Sequence, residues 1–442
     1  MESEGETGMR LLGISLGVVG IIAVGVAPTM AGGIDNRTNW SAEYIRTLNR
    51  NAATDSADIA AYNPAGIMKM DNGAYVNLSA QSVGKTYTNN VNGTDLESDE
   101  PSFVPGLFGI YKKDKWGAYG AVTVVCGGGK VKFKNGNATT QIGGWSLINM
   151  INAGAGAILY DTIKNEYNKA ESYYIGYTVG GAYAINDMIS VSLGARYVDA
   201  EKELQATLQV QPSALGAGLG QTDRTAVLNV EDTATGWGGI IGVDIAPTEN
   251  LLIGLRYETS THLKFKYKVK QDTVTGLPSG LGAAQGYING VKHRRDLPAL
   301  LGLGVSHQCT PKLRAEADLT YYFDEKADWG GAENNVGNGY DVGLALEYIF
   351  NDRIKGSVGY MYTDVDQPAQ YKLPENPALG ASTVGAGIVY TPKPAFDLNL
   401  SVGKVFYENA SYTDVSSGTP LLIEYKKDII FLAFGIQYKF DL

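Results

Sequence analysis

The strongest constraint on this chain is a period of two. From Gly73 to the C-terminus, apolar and polar residues alternate in one segment after another. That period gives each strand one apolar and one polar face. Segment 340–350 carries Val342, Leu344, Leu346, Tyr348 and Phe350 on one face, and segment 313–323 carries Leu313, Ala315, Ala317, Leu319, Tyr321 and Phe323. Opposite the second set stand Arg314, Glu316, Asp318, Thr320 and Tyr322. If the apolar face meets lipid, these charges point into a lumen.

The pattern predicts about fourteen strands, each near or above the length that crosses a bilayer. They fall at 74–88, 102–113, 116–126, 171–185, 188–208, 224–246, 251–270, 293–308, 312–325, 338–350, 353–366, 379–390, 395–409 and 423–440. Short connections such as Asn186-Asp187, Thr310-Pro311 and Asn351-Asp352 alternate strictly with long ones near 89–101, 127–170, 209–223, 271–292, 326–337, 367–378 and 410–422. That alternation predicts an even, closed barrel with both termini on one side, with short periplasmic turns and longer outer loops. A soluble sandwich or propeller is not expected to show it. The fold expected is all-β: a transmembrane antiparallel β-barrel of about 14 strands with an N-terminal plug.

Composition agrees. Mean hydropathy is −0.11, too low for a helical membrane bundle. A barrel hides its lipid face by alternation, so near-neutral hydropathy is expected of it. Tyr outnumbers Phe and Trp, 28 against 11 and 5, and its amphipathic ring suits a lipid–water boundary. The net charge of −10 and the absence of a basic patch argue against nucleic acid. Cys126 and Cys309 fall near opposite ends of the barrel, so no disulfide is expected between them. No CxxC, HExxH or clustered metal-ligand spacing occurs, and no cofactor or metal is expected.

The uncharged run Leu11–Met30 follows Arg10 and ends in Pro28 and small residues. It reads as a secretory signal peptide over 1–31, with an uncleaved anchor as the alternative. Met9-Arg10 makes a better start than the acidic first eight residues. Residues 32–72 are the expected plug and 73–442 the barrel. Within the plug, Asn63, Pro64, Ala65 and Gly66 break every periodicity: Pro64 removes a donor and Gly66 permits close packing. An ordinary turn is the alternative reading.

The order of these features resembles the outer-membrane long-chain fatty-acid and hydrocarbon transporter family (FadL/TodX type). The resemblance rests on a signal-like start, a short segment ending in AAYNPAG, and strands to the C-terminus. Three further stretches carry it: Gly236-Trp237-Gly238 through IGLRYETSTHLKF, Leu297-Pro298-Ala299 leading into LGLGVSHQ and LRAEADLTYYF, and KLPENPALGASTVGAGIVYTP. Together they span most of the chain. The last strand ends in aromatics and resembles the signal read by barrel-assembly machinery, although Asp441 and Leu442 follow Phe440.

The resemblance implies passive uptake of a fatty acid or other hydrophobic small molecule across the bacterial outer membrane. The steps implied are capture at the loops, binding in the lumen and lateral release at a kinked third strand. Gly127, Gly128 and Gly129 stand where that kink belongs; a flexible loop start is the competing reading. The apolar stretches 144–164, 209–220 and 274–284 suit ligand docking, with Leu215, Leu219, Leu277 and Leu281 as candidates; packing of the loops on one another is the alternative. Arg196 and Arg256 fall on inward faces with Glu258. Either they hold a ligand carboxylate or they pair with lumenal carboxylates. Ser306-His307 lacks any GxSxG context, so no catalytic residue and no enzyme is expected. A general porin or an adhesin barrel is the alternative function. The expected partners are the hydrophobic ligand, outer-membrane lipid with lipopolysaccharide, and the assembly machinery; a monomer is expected.

Overall fold

The computed structural model describes residues 41–440, so the expected signal peptide and alternative start, residues 32–40 of the plug, and residues 441 and 442 lie outside the described residues. Fourteen antiparallel strands form one closed sheet. They are β1 (Gly73–Val91), β2 (Thr94–Ser98 and Ser102–Lys113), β3 (Trp116–Phe133) and β4 (Tyr160–Ala184). Next come β5 (Ile189–Pro212), β6 (Arg224–Thr248), β7 (Leu251–Glu258 and Lys264–Val274) and β8 (Lys292–Arg294 and Leu300–Thr310). The rest are β9 (Leu313–Tyr322), β10 (Tyr340–Asn351), β11 (Ile354–Asp364), β12 (Ala381–Lys393), β13 (Phe396–Tyr407 and Ala410–Asp414) and β14 (Leu421–Phe440). Neighbours in the sheet are neighbours in the chain, and β1 closes on β14 from Ala74 opposite Phe440 to Val91 opposite Ile423. Closure removes every sheet edge, which a hydrocarbon environment requires.

The alternation sorts the two faces. Val179, Leu193, Ile241, Leu344, Ile388 and Leu400 face outward and exposed, while Thr178, Arg196, Glu316 and Ser401 face inward and buried. Rings gather toward the two ends: Tyr177, Tyr197 and Trp237 lie 6.3 and 5.1 Å apart on β4–β6, and Tyr438 lies 4.6 Å from Phe440 at the turn end. Such belts mark the two lipid–water boundaries. Short turns close tightly: Asn186 Oδ1 accepts from the amides of Met188 and Ile189 between β4 and β5.

Several expected boundaries move, and strand occupies parts of the expected connections 89–101 (to Val91, then Thr94–Ser98) and 410–422 (Ala410–Asp414). β3 does not stop at Cys126 but resumes past the glycines to Phe133, because Gly127 (φ 109°) and Gly129 (φ 66°) absorb the irregularity in positive-φ backbone. The expected 127–170 connection holds a helix, α1 (Ala138–Ala155), and β4 begins at Tyr160. β7 and β8 each break where single strands were expected, and one bridge, Thr261–Leu297, spans the break. Pro298 offers no ladder donor there, and the Asp296 carboxylate accepts the Leu263 amide at 2.9 Å instead.

Candidate functional site

The lumen is filled from the turn end by residues 41–70, nearly all buried. Ser41 caps a six-residue helix, Ala42–Thr47, by accepting the Tyr44 amide at 2.9 Å. Two 3-10 turns follow, Ala57–Ala61 and Pro64–Lys69. The segment lies against the wall at glycines. A Cβ on Gly254 or Gly302 would strike Asn51, one on Gly359 would strike Thr47, and one on Gly385 would strike the Ile45 carbonyl. On β9 the wall offers Asp318 instead, whose Oδ2 accepts the amides of Arg50 (2.8 Å) and Asn51 (2.9 Å). Backbone amides of an irregular segment are thereby satisfied inside the barrel.

Charge locks the same segment. Arg46 and Arg50 both reach Asp55 at 2.8 Å, Lys355 reaches it at 3.0 Å, and Arg50 also holds Asp58. Arg46 pairs with Glu347, which Arg314 reaches at 3.1 Å. Burial favours a neutral Asp55, but Arg50, then Lys355, Arg46 and Arg314, outweigh it and hold the carboxyl well below its usual range. Glu43 behaves oppositely: burial, with the Asp58 charge next, pushes it up to about 7 against Arg50 and Arg46. Its Oε1 accepts from Asn77 (2.6 Å), Asn399 (3.0 Å) and Ser56 (3.2 Å).

The four-residue break sits at the seam between plug and wall. Asn63 caps the second 3-10 turn and donates to Asn51 O (2.8 Å) and Asp244 Oδ1 (2.6 Å). Pro64 occupies the first position of that turn, where no donor is needed. Ala65 O accepts from Ser190 on β5 at 3.0 Å, and a Cβ on Gly66 would strike the Ala53 carbonyl.

Above the plug, β3 leaves its neighbour. Pairing of β2 with β3 ends at Gly106–Thr123, whereas pairing of β3 with β4 resumes beyond register shifts at Gly129–Ser172. Gly127 packs on the Ser172 backbone, Gly128 on Asn376 of the β11–β12 connection, and Gly129 on Ser102 of β2. The Gly128 carbonyl accepts from Lys85. Behind this bulge lies a cavity of about 150 Å³ lined by all three glycines, Tyr174, Lys202, Asp232, Tyr267, Tyr287, His293, Glu375 and Asn376. His293 stacks on Tyr267 at 4.2 Å and pairs with Asp232 at 3.2 Å.

Arg196 and Arg256 face inward as their alternation predicts, but they share one carboxylate. Arg196 Nη1 lies 2.8 Å from Glu258, Arg196 Nε donates to Thr178 at 3.1 Å, and Arg256 pairs with the same Glu258. Neither lines the cavity. The four loop leucines separate. Leu277 and Leu281 pack with α1 residues Leu147 and Ile148, while Leu215, on a short helix at Ala214–Gly218, and Leu219, which caps its end, are exposed. Ser306 is buried and His307 exposed, on opposite faces, so they form no dyad. Cys126 is buried and Cys309 exposed, both as free thiols. Lys202 went unnoticed in the sequence, although Arg196, Val198, Ala200 and Lys202 share one face of β5. Glu375, Asn376 and Tyr287 come from connections, where no periodicity points anywhere.

A closed, lipid-faced barrel with a packed plug defines a plugged outer-membrane transport barrel. The family described as "Outer membrane protein transport protein (OMPP1/FadL/TodX)" has a model that matches residues 168–440, more than half of the chain. The chain belongs to that family, and its place is the outer membrane. Solved structures of similar fold include a FadL homologue of Pseudomonas aeruginosa, with TM-score 0.66, 14% identity and coverage of 92% of this chain and 100% of that one. The toluene transporter TbuX of Ralstonia pickettii gives 0.64, 14%, 92% and 100%. The toluene transporter TodX of Pseudomonas putida gives 0.63, 15%, 93% and 99%. No curated protein matches the chain.

Proposed function

We propose that this protein admits hydrophobic small molecules passively, through the cavity behind the β3 bulge and out between β2 and β3. The observation that carries the reading is the coincidence of two features. The wall loses its β2–β3 pairing beyond Thr123, and the cavity abuts the same three glycines. Ligand would enter past the apolar outer connections, where Leu215 and Leu219 are exposed. The plug at Asn63–Gly66 separates the cavity from the periplasmic end, so lateral departure avoids unpacking buried ion pairs. No nucleotide motif is present, so flux follows the concentration gradient. Solved structures of like fold include a FadL homologue and toluene transporters alike, so the ligand class proposed is hydrophobic small molecules as a whole. The same plug disfavours a general porin, which needs an open polar lumen.

The test is a reversible staple. The Cβ of a residue at 129 would lie beside Ser102, so Ser102→Cys with Gly129→Cys places two thiols across the gap. Uptake of labelled toluene into cells should fall at least tenfold when the staple is oxidised and recover on reduction. Uptake unchanged in the fully oxidised barrel would rule out lateral exit.

A further inference from the structure

The cavity carries charged groups that hydrocarbon uptake does not use. Four carboxylates line it, and each has partners. Lys169 binds Glu203 at 2.8 Å and Glu171 at 3.3 Å, and His293 holds Asp232 at 3.2 Å. Glu375 Oε1 accepts from Thr139 (2.7 Å), Asn168 (2.9 Å) and Asn137 (3.0 Å). Lys202 differs. Its ammonium lies 4.0 Å from the Phe265 ring centre and 6.0 Å from that of Tyr174, and it has no carboxylate at ion-pair distance among the described residues. Two more ammonium groups stand at the rim, Lys85 on the Gly128 carbonyl and Lys427 on Asn376 Oδ1 at 2.8 Å.

Size and shape narrow the ligand further. A cavity of about 150 Å³ holds one benzene-sized ring. The cavity is partly open, so a long acyl chain would project well beyond it. Rings form part of the wall, beside Val131, Leu204, Val230 and Leu373: Tyr267 stacks on His293 and meets Tyr287 edge-on at 5.3 Å, and Tyr174 is backed at 5.9 Å by the buried Phe265. Edge and face contacts of this kind select an aromatic guest.

From this combination we infer that the cavity takes a single-ring aromatic anion, an aryl carboxylate, and that Lys202 is the residue that reads its charge. The ring lies among Tyr174, Tyr267 and Tyr287. The carboxylate meets the Lys202 ammonium, which donates a charge-assisted hydrogen bond. The inference rests on the proposed role of the cavity as the ligand site, and it replaces Arg196 and Arg256 as the anion-reading groups, because Glu258 already occupies them.

The experiment is equilibrium binding of radiolabelled benzoate, toluene and palmitate to the full-length barrel purified in detergent, for wild type and Lys202→Met. Met keeps an apolar chain of similar length and removes the ammonium that lies over Phe265. Wild type should bind benzoate saturably and more tightly than toluene or palmitate. The variant should lose about tenfold or more for benzoate relative to whatever it loses for toluene, the usual worth of a charge-assisted bond. An unchanged β-sheet circular dichroism spectrum reports a folded variant. If toluene binds and benzoate does not, or if Lys202→Met leaves benzoate unaffected, the charge-reading inference falls while the cavity remains a ligand site. Palmitate binding more tightly than benzoate overturns the one-ring limit. If none of the three binds saturably, the proposed role of the cavity falls with it. Should Lys202→Met lose toluene as well, Lys202→Gln decides: loss of all three ligands there makes Lys202 structural and overturns its charge-reading role.

Discussion

Single side chains here are governed by what burial does to charge. Asp55 is surrounded by cations and stays ionised; Glu43, twelve residues earlier in the same segment, has three neutral donors on one oxygen and takes up a proton instead. The sign of the linkage follows. An unfolded Glu43 releases its proton near 4.5 and the folded one near 7, so the folded state binds more protons between those values. Its contribution is complete at the acid side of that window and is lost as pH rises through it. Glu43→Gln keeps the acceptor for Asn77, Asn399 and Ser56 without the charge. Thermal unfolding of wild type and variant at pH 5 and pH 8 should show wild type falling behind by up to about 3 kcal/mol on the alkaline side. Parallel pH curves would contradict a buried, proton-binding Glu43.

At the scale of elements, glycine has two distinct uses. Along the inner wall it lets the plug backbone lie directly on strand backbone, and a side chain has nowhere to go. Gly385→Val should push Ile45 off β12 and loosen the plug, with faster protease cleavage between residues 41 and 70. In α1 the reverse holds: Gly154 has nothing within 4 Å of an added Cβ and ordinary helical backbone. Gly154→Ala should stabilise α1 by about 0.5–1 kcal/mol, read as slower hydrogen exchange of its amides. Equal proteolysis of Gly385→Val and wild type would sink the wall-seat account. The same residue type thus destabilises or protects according to what faces it. Fourteen strands were legible because lipid on one side and lumen on the other impose the same period on each. The helix at Ala138–Ala155 was visible only as an apolar stretch, since the spacing of Trp145, Ile148 and Ile151 fits a helix but does not delimit one. Its cap, Asn137 with Thr140, is the signal that marks its true start.

For the whole molecule, the plug and the barrel are one packed body, and the proposed route bypasses the plug. Single-channel recordings should therefore find little ion current through the intact protein. Deleting residues 42–70 should open a stable, porin-like conductance, because the inner face left behind is lined by Arg256, Arg314, Glu316, Glu347 and Lys355 and holds water. A high conductance in the intact barrel would return the molecule to the porin class. If the deletion stays closed, the lumen is obstructed by something other than the plug.

Alternation, turn length and composition by themselves determined the barrel, its strand number, the inward direction of Arg196 and Arg256, and the presence of a separate segment ahead of Gly73. Each of these is a local property, set by the two solvents a strand faces. The tertiary structure alone decided which carboxylate answers which cation. Glu258 is two residues from Arg256 but 62 residues from Arg196, and only the register of β5, β6 and β7 side by side in the sheet brings Arg196 to it. Closure of the barrel gathers Lys202, Tyr267, His293 and Asn376 around Gly127–Gly129 from five separate strands and connections. Ion pairing and cavity shape are distances between segments remote in sequence, and no period along the chain encodes them.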